Sequence, residues 1–269
     1  MSVAIIPGMA DAESVLLYEQ QGPIATLILN RPQQYNALSE ELLDALQLAL
    51  DRIATEAETR VVVLAARGKA FCPGHDLKQM RANEAREYHQ ALFAKCSRMM
   101  LTINQLPQPV IAKVQGIATA AGCQLVAACD LAISARSAQF AVSGVNLGLF
   151  CSTPAVALSR NLSRKQAMGM LLTGDFIDAD TALSYGLVNQ CVADHELDAA
   201  VASMAEKICA KSSLALRLGK NMFYRQLGMS LEDAYAFAGE RMACNMDSVD
   251  AREGIDAFLQ KRTPQWQDR

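Results

Sequence analysis

Two small-residue stretches hold the groups from which a reactive or binding site could be built. "GIATAAGCQL" runs from Gly116 to Leu125, and its small residues let a backbone pass close to another group before the amide side chain of Gln124. "GKAFCPGHDL" runs from Gly68 to Leu77 and sets Pro73 and Gly74 before His75 and Asp76, so the chain bends sharply. Each follows an apolar run that reads as a strand, and ligands in α/β folds gather at strand ends. The first stretch also leads into a short helix, whose opening N–H groups have no partner within it and point at whatever lies beyond. Either loop alone reads equally well as an ordinary tight turn. Gln124 orients water through its amide but has no useful basicity near neutral pH, so the pair leaves open whether the site reacts or only binds.

Other chemistries lack the residues they need. The eight cysteines stand singly in apolar context, with no CxxC pair, and read as buried thiols of an unsecreted chain. His75, His89 and His195 are too scattered to suggest a metal site, and none has an obvious claim to serve as base for a cysteine, which leaves Cys151 as the one thiol candidate.

Alternating elements must position these loops. "SVLLYEQ" and "IATLILN" read as a hairpin around Gly22 and Pro23, while "RVVVLAA" and "PVIAKVQG" are continuous apolar runs suited to strands buried on both faces. "SEELLDALQLALDRIATE" predicts a helix capped by Ser39 with Leu42, Leu43, Leu46, Leu50 and Ile53 on one stripe, and residues 84 to 106 predict another that stops before Pro107. Beyond about residue 195 the strand signal ends, and helices are predicted over roughly 196 to 210, 212 to 227 and 231 to 259. The expected organisation is an α/β core over 1–195 with a C-terminal helical region over 196–269, whose Met and Leu positions suit core or subunit contacts.

The chain has 269 residues, 51% of them hydrophobic and 20% charged, with a net charge of −3, enough apolar material for one large core. That charge excludes a basic surface for nucleic acid or an anionic membrane. The N-terminal "MSVAIIPGMADAE" has no basic n-region, and its apolar run is broken by Pro7 and Gly8, so a cytosolic protein is expected.

From about residue 14 to the end the chain resembles the crotonase (enoyl-CoA hydratase/isomerase) superfamily. The resemblance is carried in order by "LILNRPQQYNAL", "GKAFCPGHDLKQM", "PVIAKVQGIATAAGCQLVAACDLAIS", "AQFAVSGVNLGL", "LLTGDFIDADTALSYGLVNQCV" and "EGIDAFLQKRTPQW". Within it, "ATAAGCQLVA", "GVNLGLFCSTP" and "FLQKR" resemble the enoyl-CoA hydratase domain-containing protein 3 branch. The resemblance implies an α/β fold with a crotonase-like ββα spiral core and a C-terminal helical trimerisation region, assembled as a homotrimer or homohexamer. It implies an acyl-CoA thioester as partner and no cofactor beyond the coenzyme A of the substrate.

The resemblance also assigns residues. The two backbone N–H groups that hold the thioester oxygen in the family match His75 and Ala121. Such donors, fixed in a dry site, lower the energy of an enolate oxygen by about 3 kcal/mol each. Gln33, Gln34 and Tyr35 match the segment around the adenine and ribose, and Leu77 and Lys78 lie near the pantetheine mouth. Phe258 and Lys261 match residues that reach a neighbouring subunit's coenzyme A; as plain sequence each of these positions is also ordinary surface or helix packing. The two hydratase glutamates align with Gln124 and Gly144, so both carboxylates are missing. Asn146, Cys151, Ser152 and Thr153 are the polar groups nearby, with Ser152 where the family often has a water-binding glycine, although "STPAVAL" also reads as a helix start capped by that serine. Three readings follow: an acyl-CoA enzyme working through the oxyanion hole alone, a hydratase using substitute residues, and a silent acyl-CoA-binding or assembly subunit.

Overall fold

A computed structural model describes residues 14–269 of the chain. β1 (Leu16–Gln21) and β2 (Ile24–Leu29) form the expected antiparallel hairpin, with Leu16 opposite Leu29 and Gln21 opposite Ile24. α1 (Glu40–Ile53) starts where Ser39 accepts a hydrogen bond from the Leu42 N–H at 3.2 Å, and the five residues of its predicted stripe are all buried. Next come β3 (Val61–Ala66), β4 (Ala70–Cys72), α2 (Leu77–Ala82) and α3 (Arg86–Gln105), the last ending just ahead of Pro107. The middle of the chain continues as β5 (Val110–Val114), β6 (Ile117–Thr119), α4 (Ala121–Ala128), β7 (Leu131–Ala135), β8 (Gln139–Ala141), α5 (Ser152–Asn161) and α6 (Arg164–Thr173). β9 (Ile177–Asp178), α7 (Ala179–Tyr185) and β10 (Gln190–Val192) close it.

From β3 to β8 successive strands alternate between two sheets. One has six strands in the order β1-β2-β3-β5-β7-β10, and the other has four in the order β4-β6-β8-β9. Apart from the pairs β1 with β2 and β8 with β9, neighbours run parallel, as a coil of strand, strand and helix requires. β3 shows why "VVVLAA" needs apolar residues throughout. Val62 and Leu64 enter the main core with α1, while Val61, Val63 and Ala65 face a second core closed by Leu197, Val201 and Ala205.

Those last three residues lie on α8 (Leu197–Cys209), which is followed by α9 (Ser213–Gln226), α10 (Leu231–Met246) and α11 (Val249–Leu259). The single helix expected over 231 to 259 is therefore two. Ser248 accepts the Ala251 N–H at 3.0 Å and starts a new helix, a local cap that outcompetes continuation of the apolar pattern. α9 and α10 bury no residue, and Leu231, Tyr235 and Met242 are among their exposed apolar side chains. α9 is tied to the core by Lys220, whose ammonium donates to Asp130 at 2.6 Å and to the carbonyls of Ile103 and Gln108, both at 2.9 Å.

Candidate active site

Two loops meet at the C-terminal ends of β4 and β6. After β4, Gly74 adopts φ +102°, a conformation that favours glycine, and a Cβ there would stand 3.0 Å from the Cβ of Ala120 and 3.2 Å from the Ala121 nitrogen. Leu38 donates its N–H to the Gly74 carbonyl and accepts that of Asp76, at 2.8 and 3.1 Å, so the backbone around His75 is pinned from one side. The His75 N–H between them faces away from Leu38 and has no hydrogen-bond partner among the described residues. Asp76 caps α2, accepting the N–H groups of Lys78 and Gln79, and pairs with Arg31 at 3.2 Å.

After β6, Ala120 holds φ 50° and ψ −121°, left-handed values for a residue with a side chain, and its N–H donates to Ala141 at 3.0 Å. That turn starts α4 with the Ala121 N–H unpaired among the described residues, the position of an orphan first-turn donor. Gly122 lets α4 sit on β4, since a Cβ there would lie 1.9 Å from the Cys72 carbonyl oxygen.

A third segment completes the wall. Residues Ser143–Leu147 form a 3-10 turn in which the Gly144 N–H donates to Cys151 Sγ at 3.3 Å and its carbonyl accepts the Leu149 N–H at 3.0 Å. The 149–151 segment is folded onto the bare glycine: a Cβ on Gly144 would meet the Leu149 oxygen at 2.6 Å and Cys151 Sγ at 2.7 Å. Behind it the hydroxyls of Thr119 and Ser143 share a hydrogen bond of 2.9 Å.

The three segments enclose a cavity of about 270 Å³ that brings together His75, Leu77, Ala121, Gly144 and Ser152 of the expected residues. Sequence reasoning missed Met80, Phe93, Leu147, Leu149 and Phe150, which make most of it apolar, and no carboxylate lines it. The run of apolar residues around Gly148, between a strand and a helix, was the available signal for three of them. Burial drives the His75 imidazole down to about 4, so it is neutral at physiological pH, and its Nε2 is buried without a partner. Its ring meets Phe93 edge-on at 5.4 Å. Burial pushes the Cys151 thiol up, against a smaller opposing effect of the Gly144 N–H, which keeps it protonated and poorly nucleophilic.

Other expected residues lie elsewhere. Gln124 is buried within α4 and does not line the cavity; its Oε1 has no partner. Gln33 and Gln34 sit on a short exposed 3-10 turn next to Tyr35, which has φ 54° and is 60% exposed. Lys78 is exposed in the first turn of α2. Phe258, 83% exposed at the end of α11, and Lys261, just beyond it, are not part of the cavity wall. Ser152 is not the cap of α5: Cys151 holds that place, and the Ser152 hydroxyl donates to the Phe150 carbonyl at 3.3 Å, because the fold of 149–151 onto Gly144 starts the helix one residue earlier than the cap signal suggests.

Comparison with known proteins gives one consistent answer. The model of the family described as enoyl-CoA hydratase/isomerase matches residues 19–269. The enoyl-CoA hydratase domain-containing protein 3, mitochondrial, of Xenopus laevis is 45% identical over 248 residues, which cover 92% of this chain and 84% of the relative. A crystal structure of an enoyl-CoA hydratase of Mycobacterium smegmatis superposes with a TM-score of 0.93 at 57% identity, covering 94% of this chain and 99% of that one. The human enoyl-CoA hydratase domain-containing protein 3 superposes with a TM-score of 0.91 at 43% identity, covering 94% and 100%. These matches bear out the expected crotonase fold and branch. They overturn the cytosolic expectation, because the vertebrate relatives are named mitochondrial. The residues that expectation rested on lie outside the described ones, and a test for a secretory leader does not test for the amphipathic, Arg-rich leaders of mitochondrial import.

Proposed function

The chain belongs to the enoyl-CoA hydratase/isomerase family, and on that footing we propose that it is an acyl-CoA enzyme that stabilises a thioester enolate in a backbone oxyanion hole without the two usual hydratase glutamates. The observation that carries this reading is the pair of unpaired N–H groups, His75 and Ala121, on facing loops of a cavity without a carboxylate. Amide donors fixed by pinned backbone need no reorganisation as charge develops on the thioester oxygen, and each contributes about 3 kcal/mol to the transition state. By the family resemblance Gln124 and Gly144 hold the two glutamate positions, so a factor of about 10² to 10⁴ per positioned proton carrier is forgone. Ser152 at the start of α5 is the hydroxyl we assign to water or to the acyl group.

Leu77 and Lys78, in the first turn of α2, guide the pantetheine, and Gln33, Gln34 and Tyr35 hold the nucleotide end. Phe258 and Lys261 reach the coenzyme A of a neighbour in a homotrimer or homohexamer built on the exposed apolar faces of α9 and α10. Coenzyme A enters as part of the substrate, and no other cofactor is needed. The lack of a lining carboxylate equally favours a second reading, an acyl-CoA-binding subunit with no turnover. Titration calorimetry with butyryl-CoA, and turnover on a panel of enoyl-, dienoyl-, β-hydroxy- and malonyl-type thioesters, separate the two. Ala121→Pro removes one donor at a helix position that tolerates proline, and butyryl-CoA affinity is expected to fall about threefold to tenfold, the worth of one hydrogen bond. Unchanged affinity in a folded variant refutes the assignment.

A further inference from the structure

Phe150 stands between two cavities. It lines the one described above and also a second, of about 520 Å³, in the fork between α5 and α6. The walls of the fork are apolar: Ala155 and Val156 on α5 face Ala167, Met168 and Leu171 on α6. Val156 is 54% and Met168 41% exposed, so in the single chain water covers this face. The other end of the fork carries two arginines, Arg160 in the last turn of α5 and Arg164 at the start of α6. Arg160 donates to the Val156 carbonyl at 2.9 Å on its own helix, and the Arg164 side chain makes no hydrogen bond among the described residues. Among the described residues neither has an ion-pair partner, and no Asp or Glu lines the fork. The Phe150 carbonyl is held by Ser152, while its ring, 49% exposed, has no polar tie.

We propose that the fork between α5 and α6 is a distal acyl-chain subsite, joined to the inner cavity by rotation of the Phe150 ring, for acyl-CoA thioesters whose chain ends in a carboxylate. The inference rests on the reading of the inner cavity as the thioester site. An acyl chain that leaves the inner cavity past Phe150 lays its methylenes on Val156 and Met168, where removal of apolar surface from water favours it. The eight helical steps from Ser152 to Arg160 carry it about 12 Å along α5 to the arginines. There a carboxylate meets two guanidinium groups that have no ion-pair partner among the described residues, whereas a methyl end leaves both in water. Charge therefore selects the chain end, and the apolar walls select a long chain over a short one.

Calorimetry on the full chain with butyryl-, dodecanoyl- and dodecanedioyl-CoA tests this in low and high salt. The dicarboxylic thioester is expected to bind about threefold to tenfold tighter than dodecanoyl-CoA in low salt, the yield of two partly exposed charge pairs. The preference should vanish in Arg160→Ala/Arg164→Ala and shrink in high salt, with butyryl-CoA affinity unchanged. Met168→Asp, which sets a like charge in the fork, should reverse it. Equal affinity for the two long thioesters, or a preference that survives the double arginine variant, overturns the fork assignment while normal butyryl-CoA binding leaves the thioester site standing. Failure of butyryl-CoA to bind overturns the thioester reading and the fork with it.

Discussion

Gly144→Ala adds one methyl group at a point where the fold has closed over its absence. The new Cβ would lie 2.6 Å from the Leu149 oxygen and 2.7 Å from Cys151 Sγ, so the 149–151 segment has to move. Moving it strains the hydrogen bonds from the Gly144 N–H to Cys151 Sγ and from the Leu149 N–H to Gly144, at 3.3 and 3.0 Å. Overpacking of this kind costs about 1–3 kcal/mol and each loosened hydrogen bond about 0.5–1.5 kcal/mol. The two costs overlap, because the shift that relieves the clash is the one that stretches the bonds, and a net loss of about 2–4 kcal/mol is expected. Urea denaturation reads it as a lower midpoint at constant slope. Cys151→Ala removes one of the two obstructing atoms, so the double variant should be more stable than additivity allows by about 1 kcal/mol. Stability of Gly144→Ala within about 0.5 kcal/mol of the parent, or strict additivity, refutes the close fit of 149–151 on Gly144. The same geometry bears on activity: Gly144→Glu, which sets a carboxylate in the cavity wall, should raise crotonyl-CoA hydration, measured by loss of enoyl absorbance, more when Cys151→Ala is also present. A parent rate in the ordinary range of about 1–10³ per second would show that other side chains move the protons.

Three further outcomes are expected. Lys220→Met leaves Asp130 without its counter-ion, and two carbonyls without the ammonium they accept from, in a setting where the paired side chains are 7% and 14% exposed, and should cost about 3–5 kcal/mol in denaturation, with a change under 1 kcal/mol refuting its role in tying α9 to the core. His75 has its folded value lowered to about 4 by burial. The unfolded chain therefore binds the proton first as pH falls, and stability is full above about 6.5 and declines toward 4 by up to about 3 kcal/mol; His75→Gln should flatten that decline, and an unchanged profile contradicts the buried neutral imidazole. Light scattering should show a trimer or hexamer, with Leu231→Glu/Tyr235→Glu, at 76% and 74% exposed positions, shifting it to smaller species; a monomeric parent sinks the assembly reading.

Elements with local signals were legible in the sequence. Ser39 and the leucine stripe of α1 announced themselves because cap and periodicity are properties of neighbours in the chain, and β3 did so because both its faces are buried. The four-stranded sheet was not foreseen: strands of two or three residues such as β9 and β8 are too short to show a period. The gap between α10 and α11 was missed because Ser248 sits inside a pattern that continues on both sides. At the site, the loops of His75 and Ala121 were found from their small residues, whereas the contact of Cys151 with Gly144 joins positions whose proximity depends on a turn and carries no pattern. Gln124 was placed by alignment, and only its burial within α4 distinguishes it from a cavity-facing side chain.

Ala120 carries a cost that its own sequence position could shed. A side-chain-bearing residue at φ 50° and ψ −121° is held about 1–3 kcal/mol above relaxed backbone, a sizeable share of the 5–15 kcal/mol by which domains typically stay folded. Glycine would adopt those angles freely, so Ala120→Gly is a place where the chain has stability in reserve. Alanine, in exchange, narrows the unfolded chain's choices and leaves the 120–121 peptide plane fewer alternatives should the hydrogen bond from the Ala120 N–H to the Ala141 carbonyl open. The strain thus marks where this fold sets the direction of one N–H group above ease of folding.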